Sequence, residues 1–169
     1  MSISNYRDLV VSAENLPVSE SDIGIFERSF GLMLPDDYRE FLTTVNGGPL
    51  EPSPDTEFEC GPKIVPAVER FRNISALAES GSIEGMLRQP ELYRIPQGAI
   101  PIADNGYTHS FILHTVPPFS RVWIVSFQLS CRYGPLSPQA WFRLCATFDE
   151  FVDALAIAQK STFSSESRG

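Results

Sequence analysis

The chain has 169 residues, of which 43% are hydrophobic, and a net charge of −8; that is length and apolar content enough for one domain that folds without a metal or a disulfide. No apolar run approaches the about 18 residues of a membrane span, and the N-terminal stretch MSISNYRDLVVSAENLP lacks the basic-then-apolar layout of a secretion leader. The excess of acid argues against nucleic acid as a partner, because phosphates need a basic surface.

The acid is unevenly spread. Residues 1–60 hold twelve Asp/Glu and three Arg, a sum of −9, whereas residues 61–169 hold nine acids and ten bases, a sum of +1. Such a field suits a basic protein partner. Cys60, Cys131 and Cys145 are far apart, odd in number and form no C-x-x-C pair. In the expected cytoplasmic setting they are read as buried reduced thiols.

Residues 4–13 read as a short first helix with Tyr6, Leu9, Val10 and Ala13 on one face, ended by Leu16-Pro17. A second helix follows in SESDIGIFERSFG. Ser19 and Asp22 stand at capping-box spacing, Ile23, Phe26 and Phe30 repeat at helical spacing, and Gly31 sits where a left-handed stop belongs. A third lies in LPDDYREFLTTVNGG, residues 34–48. Pro35 suits the first helical position, and Asp36 and Asp37 lie near the positive end of the dipole. Tyr38, Phe41, Leu42 and Val45 form one apolar face, and Asn46-Gly47 ends the helix.

Residues 49–62 hold four prolines and four acids and read as a loop, with a short strand near Phe58. IVPAVERF reads as a strand edge. Ile74, Leu77 and Ala78, then Ile83, Met86 and Leu87, fit one or two short helices bounded by Pro90 and Pro96. The segment AIPIADNGYTHSFILHT has two apolar runs around Asp104-Asn105-Gly106, a hairpin signal. RVWIVSFQLS alternates as a strand does, and AWFRLCA reads as another. A last helix begins at Thr147, capped by Thr147 and Glu150, with Phe151, Leu155 and Ala158 buried. Residues 161–169 read as a frayed tail. The strands cluster instead of alternating with helices. The expectation is therefore an α+β fold: one domain over residues 1–160, with a mixed, mainly antiparallel sheet flanked by helices.

The stretch DIGIFERSFGLMLPDDYREFLTTVNGG resembles the signature of the SUKH superfamily, the Smi/Knr-type group. The matching residues are Ile23, Glu27, Leu34, Pro35, Tyr38, Phe41, Leu42, Asn46, Gly47 and Gly48. IPIADNG and ATFDEFVDAL are similar to that group's strand and closing helix, and the likeness spans roughly residues 19–158. What the resemblance implies is a cytoplasmic, non-catalytic interaction domain. Many bacterial members are immunity proteins that bind and neutralise a toxin, often a nuclease, within polymorphic toxin systems. Fungal relatives regulate cell-wall assembly. The chain departs from the group in the short turn at Asp104-Asn105-Gly106 and in the proline-rich loop at 49–62, both places where partner specificity could reside.

Several residues are candidates for chemistry. Glu27 lies beside the apolar face without a partner base, and is read as capping a backbone N–H, in the Asn46-Gly47-Gly48 turn. That turn itself is read as a corner. No strand precedes it and no Lys-Ser/Thr follows, as a phosphate-cradling loop needs. His109 and His114 are an odd number of residues apart in a strand, so they face opposite ways, and neither they nor the cysteines show a metal-ligand spacing. No metal and no cofactor is expected. A nucleophilic Cys131–His109 pair lacks a flanking signature. The acids Glu51, Asp55, Glu57 and Glu59, with Asp104, are the expected partner-binding carboxylates, and Phe58 and Tyr107 the expected anchors. The leading reading is an immunity protein. The alternatives are a cell-wall regulatory module and a small hydrolase using His109 or His114.

Overall fold

The computed structural model describes residues 2–51, 58–60, 63–65, 67–75, 81–93, 95–106, 108–116, 121–126, 132, 137 and 140–166. The chain opens on a β-hairpin, β1 (Ser2–Tyr6) and β2 (Leu9–Ala13), where a helix was expected. The turn lies at Arg7-Asp8. Arg7 and Asp8 take φ of 48° and 70°, the paired left-handed geometry of a two-residue hairpin loop, and the Asn5 carboxamide oxygen accepts the Asp8 N–H. Strand alternation then buries Tyr6, Leu9 and Val11 and leaves Val10 and Ala13 only half-buried.

Helix α1 (Glu20–Phe30) starts on Ser19, whose hydroxyl accepts from the Asp22 N–H, and stops at Gly31 in the left-handed region. Helix α2 (Asp36–Thr44) follows. Pro35 occupies the N-cap position with extended ψ, one residue before the first helical position expected for it. β3 (Gly48–Pro49), β4 (Phe58–Cys60), β5 (Lys63–Val65) and β6 (Arg70–Phe71) precede α3 (Ile83–Leu87) and α4 (Pro90–Tyr93). Then come β7 (Ala99–Asp104), β8 (His109–His114), β9 (Val122–Ser126), β10 (Trp141–Cys145) and α5 (Phe148–Glu166).

Six strands form the main sheet in the order β10-β9-β8-β7-β6-β3, and every described ladder in it is antiparallel. This is an α+β fold. The central strands are buried on both faces. Ile100, Phe111, Leu113 and Val122 join the apolar faces of α1, α2 and α5, while Ala99 and Ile112 pack with Met86 and Ile95, against Tyr93, Trp123 and Trp141. Aromatic edges centre the larger cluster on Phe41, whose ring lies 4.8 Å from Phe71, 5.2 Å from Tyr6 and 5.3 Å from Phe148.

Two further expectations change. Helix α5 continues to Glu166, through residues expected as frayed tail. The hydroxyls of Ser161, Thr162 and Ser164 donate to the carbonyls four residues back, so these side chains are satisfied on the helix instead of unwinding it. Cys145 is disulfide-bonded, so the expectation of three reduced thiols does not hold.

Candidate functional site

The signature turn after α2 is framework. Asn46 is 5% exposed. Its amide donates to the Ile74 carbonyl at 2.8 Å and its oxygen accepts the Ile74 N–H at 2.9 Å, so one side chain replaces a strand neighbour for Ile74. Gly47 has φ +74°, and a Cβ there would lie 2.8 Å from the Arg72 carbonyl. Gly48 has φ +132°, and a Cβ there would fall on the Ser12 carbonyl oxygen. The backbones at this corner converge so closely that only hydrogen fits at either glycine.

Glu27 caps a backbone N–H, but that of Leu34 in the α1–α2 link at 2.7 Å, not one in the Asn-Gly-Gly turn. Its same oxygen takes the Arg39 guanidinium at 2.7 Å. The buried Tyr38 and Leu34 flank this link. Asp37 does more than favour the α2 dipole. One carboxylate oxygen accepts the Phe148 and Asp149 N–H groups at 3.1 and 3.2 Å, and the other accepts the Tyr38 N–H at 2.8 Å. It ties the first turns of α2 and α5 together from 111 residues away. No local pattern reveals that role.

Among the expected contact residues, Asp104 is corrected. It is 8% exposed, ion-paired to Arg72 at 2.8 Å, and its other oxygen holds the Gly106 N–H. It is therefore spent on the β7–β8 turn. Glu51 is exposed, its N–H donating to the Val10 carbonyl. Phe58 and Glu59 lie in β4, whose side chains, with Asp55, Glu57 and Tyr107, fall outside the described residues.

His109 and His114 stand on opposite faces of β8. The strand carries no extra residue, so His109 shares the face of Phe111 and Leu113, and His114 that of Ile112. Burial pushes His109 below its ordinary pKa, and its Nδ1 lies 2.8 Å from the Thr108 hydroxyl. The two imidazoles do not converge on a substrate. Cys131 lies outside the described residues.

Among the described residues two concavities stand out. A polar one of about 220 Å³ is lined by Arg70, Arg72, Asn73 and the Gly48 corner. A largely apolar groove of about 410 Å³ runs between the 16–18 segment, α1 and α3. Phe26 and Ile74 are buried along it, and Leu16 and Ile25 stand exposed at its sides. Glu84 lines the same groove, 7% exposed, with one oxygen accepting the Ser75 N–H at 2.8 Å.

The sequence matches the model of the SMI1/KNR4 family (SUKH-1) over residues 17–154. The chain belongs to the SMI1/KNR4 family. No curated protein matches it significantly. The matched span takes in Glu27, Asp37, the Asn-Gly-Gly corner and the groove's walls from Pro17 onward, so the family likeness lies in this framework. The β1–β2 hairpin and the end of α5 lie outside it and hold each other. The Gln159 amide, 1% exposed, pairs with both the N–H and the carbonyl of Val10, and Lys160 reaches Asp8 at 2.8 Å. In this SMI1/KNR4 chain the hairpin is thus clamped on the end of α5. Membership fits a non-catalytic immunity or regulatory module in general terms, and among the described residues no helix is long and apolar enough to cross a membrane.

Glu84 gives a pH prediction. Burial outweighs its Ser75 hydrogen bond and holds its carboxyl above the ordinary range. The folded protein then binds this proton more tightly than the unfolded chain does. Stability from this group is present below the unfolded pKa and is lost as pH rises toward the raised folded value. Urea titrations of Glu84→Gln across the weakly acid range should show a shallower fall than wild type, because glutamine keeps the Ser75 bond without the charge. Parallel pH slopes in the two proteins contradict this.

Proposed function

We propose that this protein is an immunity protein: a non-catalytic domain that binds a cognate toxin and blocks it. Membership of the SMI1/KNR4 family over residues 17–154 is the observation that carries the reading. The net charge of −8, with its excess acid in residues 1–60, supports a basic partner such as a nuclease, whose substrate phosphates the acids would mimic. Glu51, Asp55, Glu57 and Glu59 supply steering charge in this reading, and Phe58 and Tyr107 supply contact area. Complementarity of this kind chiefly raises the association rate and the selectivity. A regulatory module linked to cell-wall synthesis is the second reading open to the family. Gene context separates them, since a neighbouring gene for a toxic enzyme favours immunity and a cluster of envelope functions favours regulation.

The direct test is co-expression. Cells making the toxic product of the neighbouring gene survive when this protein is present. Death at an unchanged rate, with the protein folded and abundant, overturns the immunity reading.

A further inference from the structure

The groove between the 16–18 segment, α1 and α3 has the features of a docking site for one kind of side-chain cluster. We propose that it receives the apolar anchor of the toxin: a bulky aliphatic or aromatic side chain flanked by a lysine or arginine. The inference rests on the immunity reading and names the surface where that binding gains its affinity.

The shape comes first. At about 410 Å³ the groove lies within the about 300–1,000 Å³ of ligand-binding clefts. Its floor is rigid. Phe26 is 4% and Ile74 7% exposed, and Ile74 is held on both backbone groups by Asn46. The near wall is fixed by the Val18 N–H on the Leu42 carbonyl at 3.0 Å and by the Ser19 cap of α1. A partner ordering itself here meets a surface already ordered, so little conformational entropy is lost on the protein's side.

The lips are apolar. Leu16 is 86% exposed and Ile25 51% exposed, on either side of a floor that is itself apolar. Scattered apolar residues on a surface mean little, but these two rim one concavity and would be covered together by an inserted side chain.

Charge then selects the occupant. Two carboxylates line the groove, Asp22 held by the Ser19 hydroxyl at 2.6 Å and Glu84 held by the Ser75 N–H, against one guanidinium, Arg88. Arg88 offsets Glu84, which leaves Asp22 as the uncompensated charge of the lining. A cation beside the anchor meets opposite charge there, and an anion meets like charge. The groove belongs largely to the part of the chain that carries the acidic excess, so local and long-range fields favour the same partner.

The test is the affinity of catalytically inactive toxin, purified from the neighbouring gene, for wild type, Leu16→Asp, Ile25→Asp and the milder Leu16→Ala. Both positions are exposed, so melting should stay within a few degrees of wild type, and circular dichroism checks this. Anchor positions at interface centres shift affinity by about 30-fold or more, and the Asp variants should weaken binding by that order. Asp22→Lys should slow association more than it speeds dissociation. Wild-type binding with all four variants within threefold of it overturns the groove assignment and leaves the immunity reading standing. No binding by folded wild type overturns both. Self-association of wild type that is lost in the Leu16 and Ile25 variants, with toxin binding retained, assigns the groove to a second copy of the chain and overturns the proposal.

Discussion

Replacing Gly48 with alanine should lower stability by about 4 kcal/mol, through a backbone region closed to side chains and a collision with a fixed carbonyl. Gly48 sits at φ +132°, and a Cβ there lands on the Ser12 carbonyl oxygen, which belongs to β2 and has no side-chain torsion by which to retreat. Relief requires moving β3 off β2, where the next residue but one, Leu50, bridges Val11, and so disturbs the pairing of Gly48 with Phe71 of β6. For a chain of this size about 4 kcal/mol corresponds to a fall in melting temperature of roughly 8–16 °C. Gly31→Ala is the control. Gly31 is also left-handed, but nothing lies within 4 Å of its would-be Cβ, so alanine there should lose only about 1 kcal/mol. Thermal unfolding of both variants by circular dichroism separates crowding from conformational strain. Equal losses at the two positions would mean that the corner tolerates a methyl group and that its packing has been misread.

The second large effect is expected at Asp37. Alanine there removes the acceptor for three backbone N–H groups, two at the start of α5 and one at the start of α2. Loss of a cap alone is worth about 1 kcal/mol, and buried donors left without partners add about 1–3 kcal/mol. A total of about 3 kcal/mol is expected for Asp37→Ala and about 1 kcal/mol for Asp37→Asn, which retains one acceptor oxygen. The α5 N-terminus keeps a second cap, the Thr147 hydroxyl on the Glu150 N–H at 3.1 Å, so the helix should persist while its docking to α2 loosens. Burial outweighs the N–H donors and holds the Asp37 carboxyl above its ordinary range. As with Glu84, its contribution therefore declines as pH rises from the unfolded toward the folded pKa. Hydrogen exchange at Phe148 and Asp149 reads the cap directly. Protection there unchanged in Asp37→Ala would contradict the cross-chain role.

The helix boundaries were legible where the signal is local. Ser19 with Asp22, Gly31, and Thr147 with Glu150 each satisfy backbone groups within a few residues, so spacing alone reveals them. The N-terminal hairpin was not legible, because Tyr6, Leu9, Val10 and Ala13 suit helical spacing as well as a hairpin. Arg7-Asp8 is also not a characteristic turn pair, and its left-handed conformation is fixed by contacts distant in sequence. Arg7 pairs with Glu40 and Asp149, and the Tyr6 hydroxyl donates to the Asp37 carbonyl. Asp104 was misplaced for the same reason. Beside a hairpin tip it resembles a surface acid, and its true partner, Arg72, is brought by a separate strand.

Glu27 shows the limit from the other side. That a carboxylate beside an apolar face should cap a backbone N–H follows from the cost of burying it alone, but the choice of Leu34 over the Asn-Gly-Gly turn is made by the angle between α1 and α2. The groove left one trace in the sequence. Ile25 lies off the Ile23–Phe26–Phe30 face of α1, which marks it as exposed, although a single exposed apolar residue gains meaning only beside a second one on the same concavity. Leu16 gave none, since before Pro17 it serves equally well to end an element.

The most direct measurement is the dissociation constant of the purified chain and the inactive product of the neighbouring gene, taken at rising salt. A tight complex at low salt whose affinity falls as ionic strength increases is the expected result, because screening shortens the reach of the acidic surface. Absence of a complex at low salt, with both proteins folded, would contradict a protein that works by binding a basic toxin.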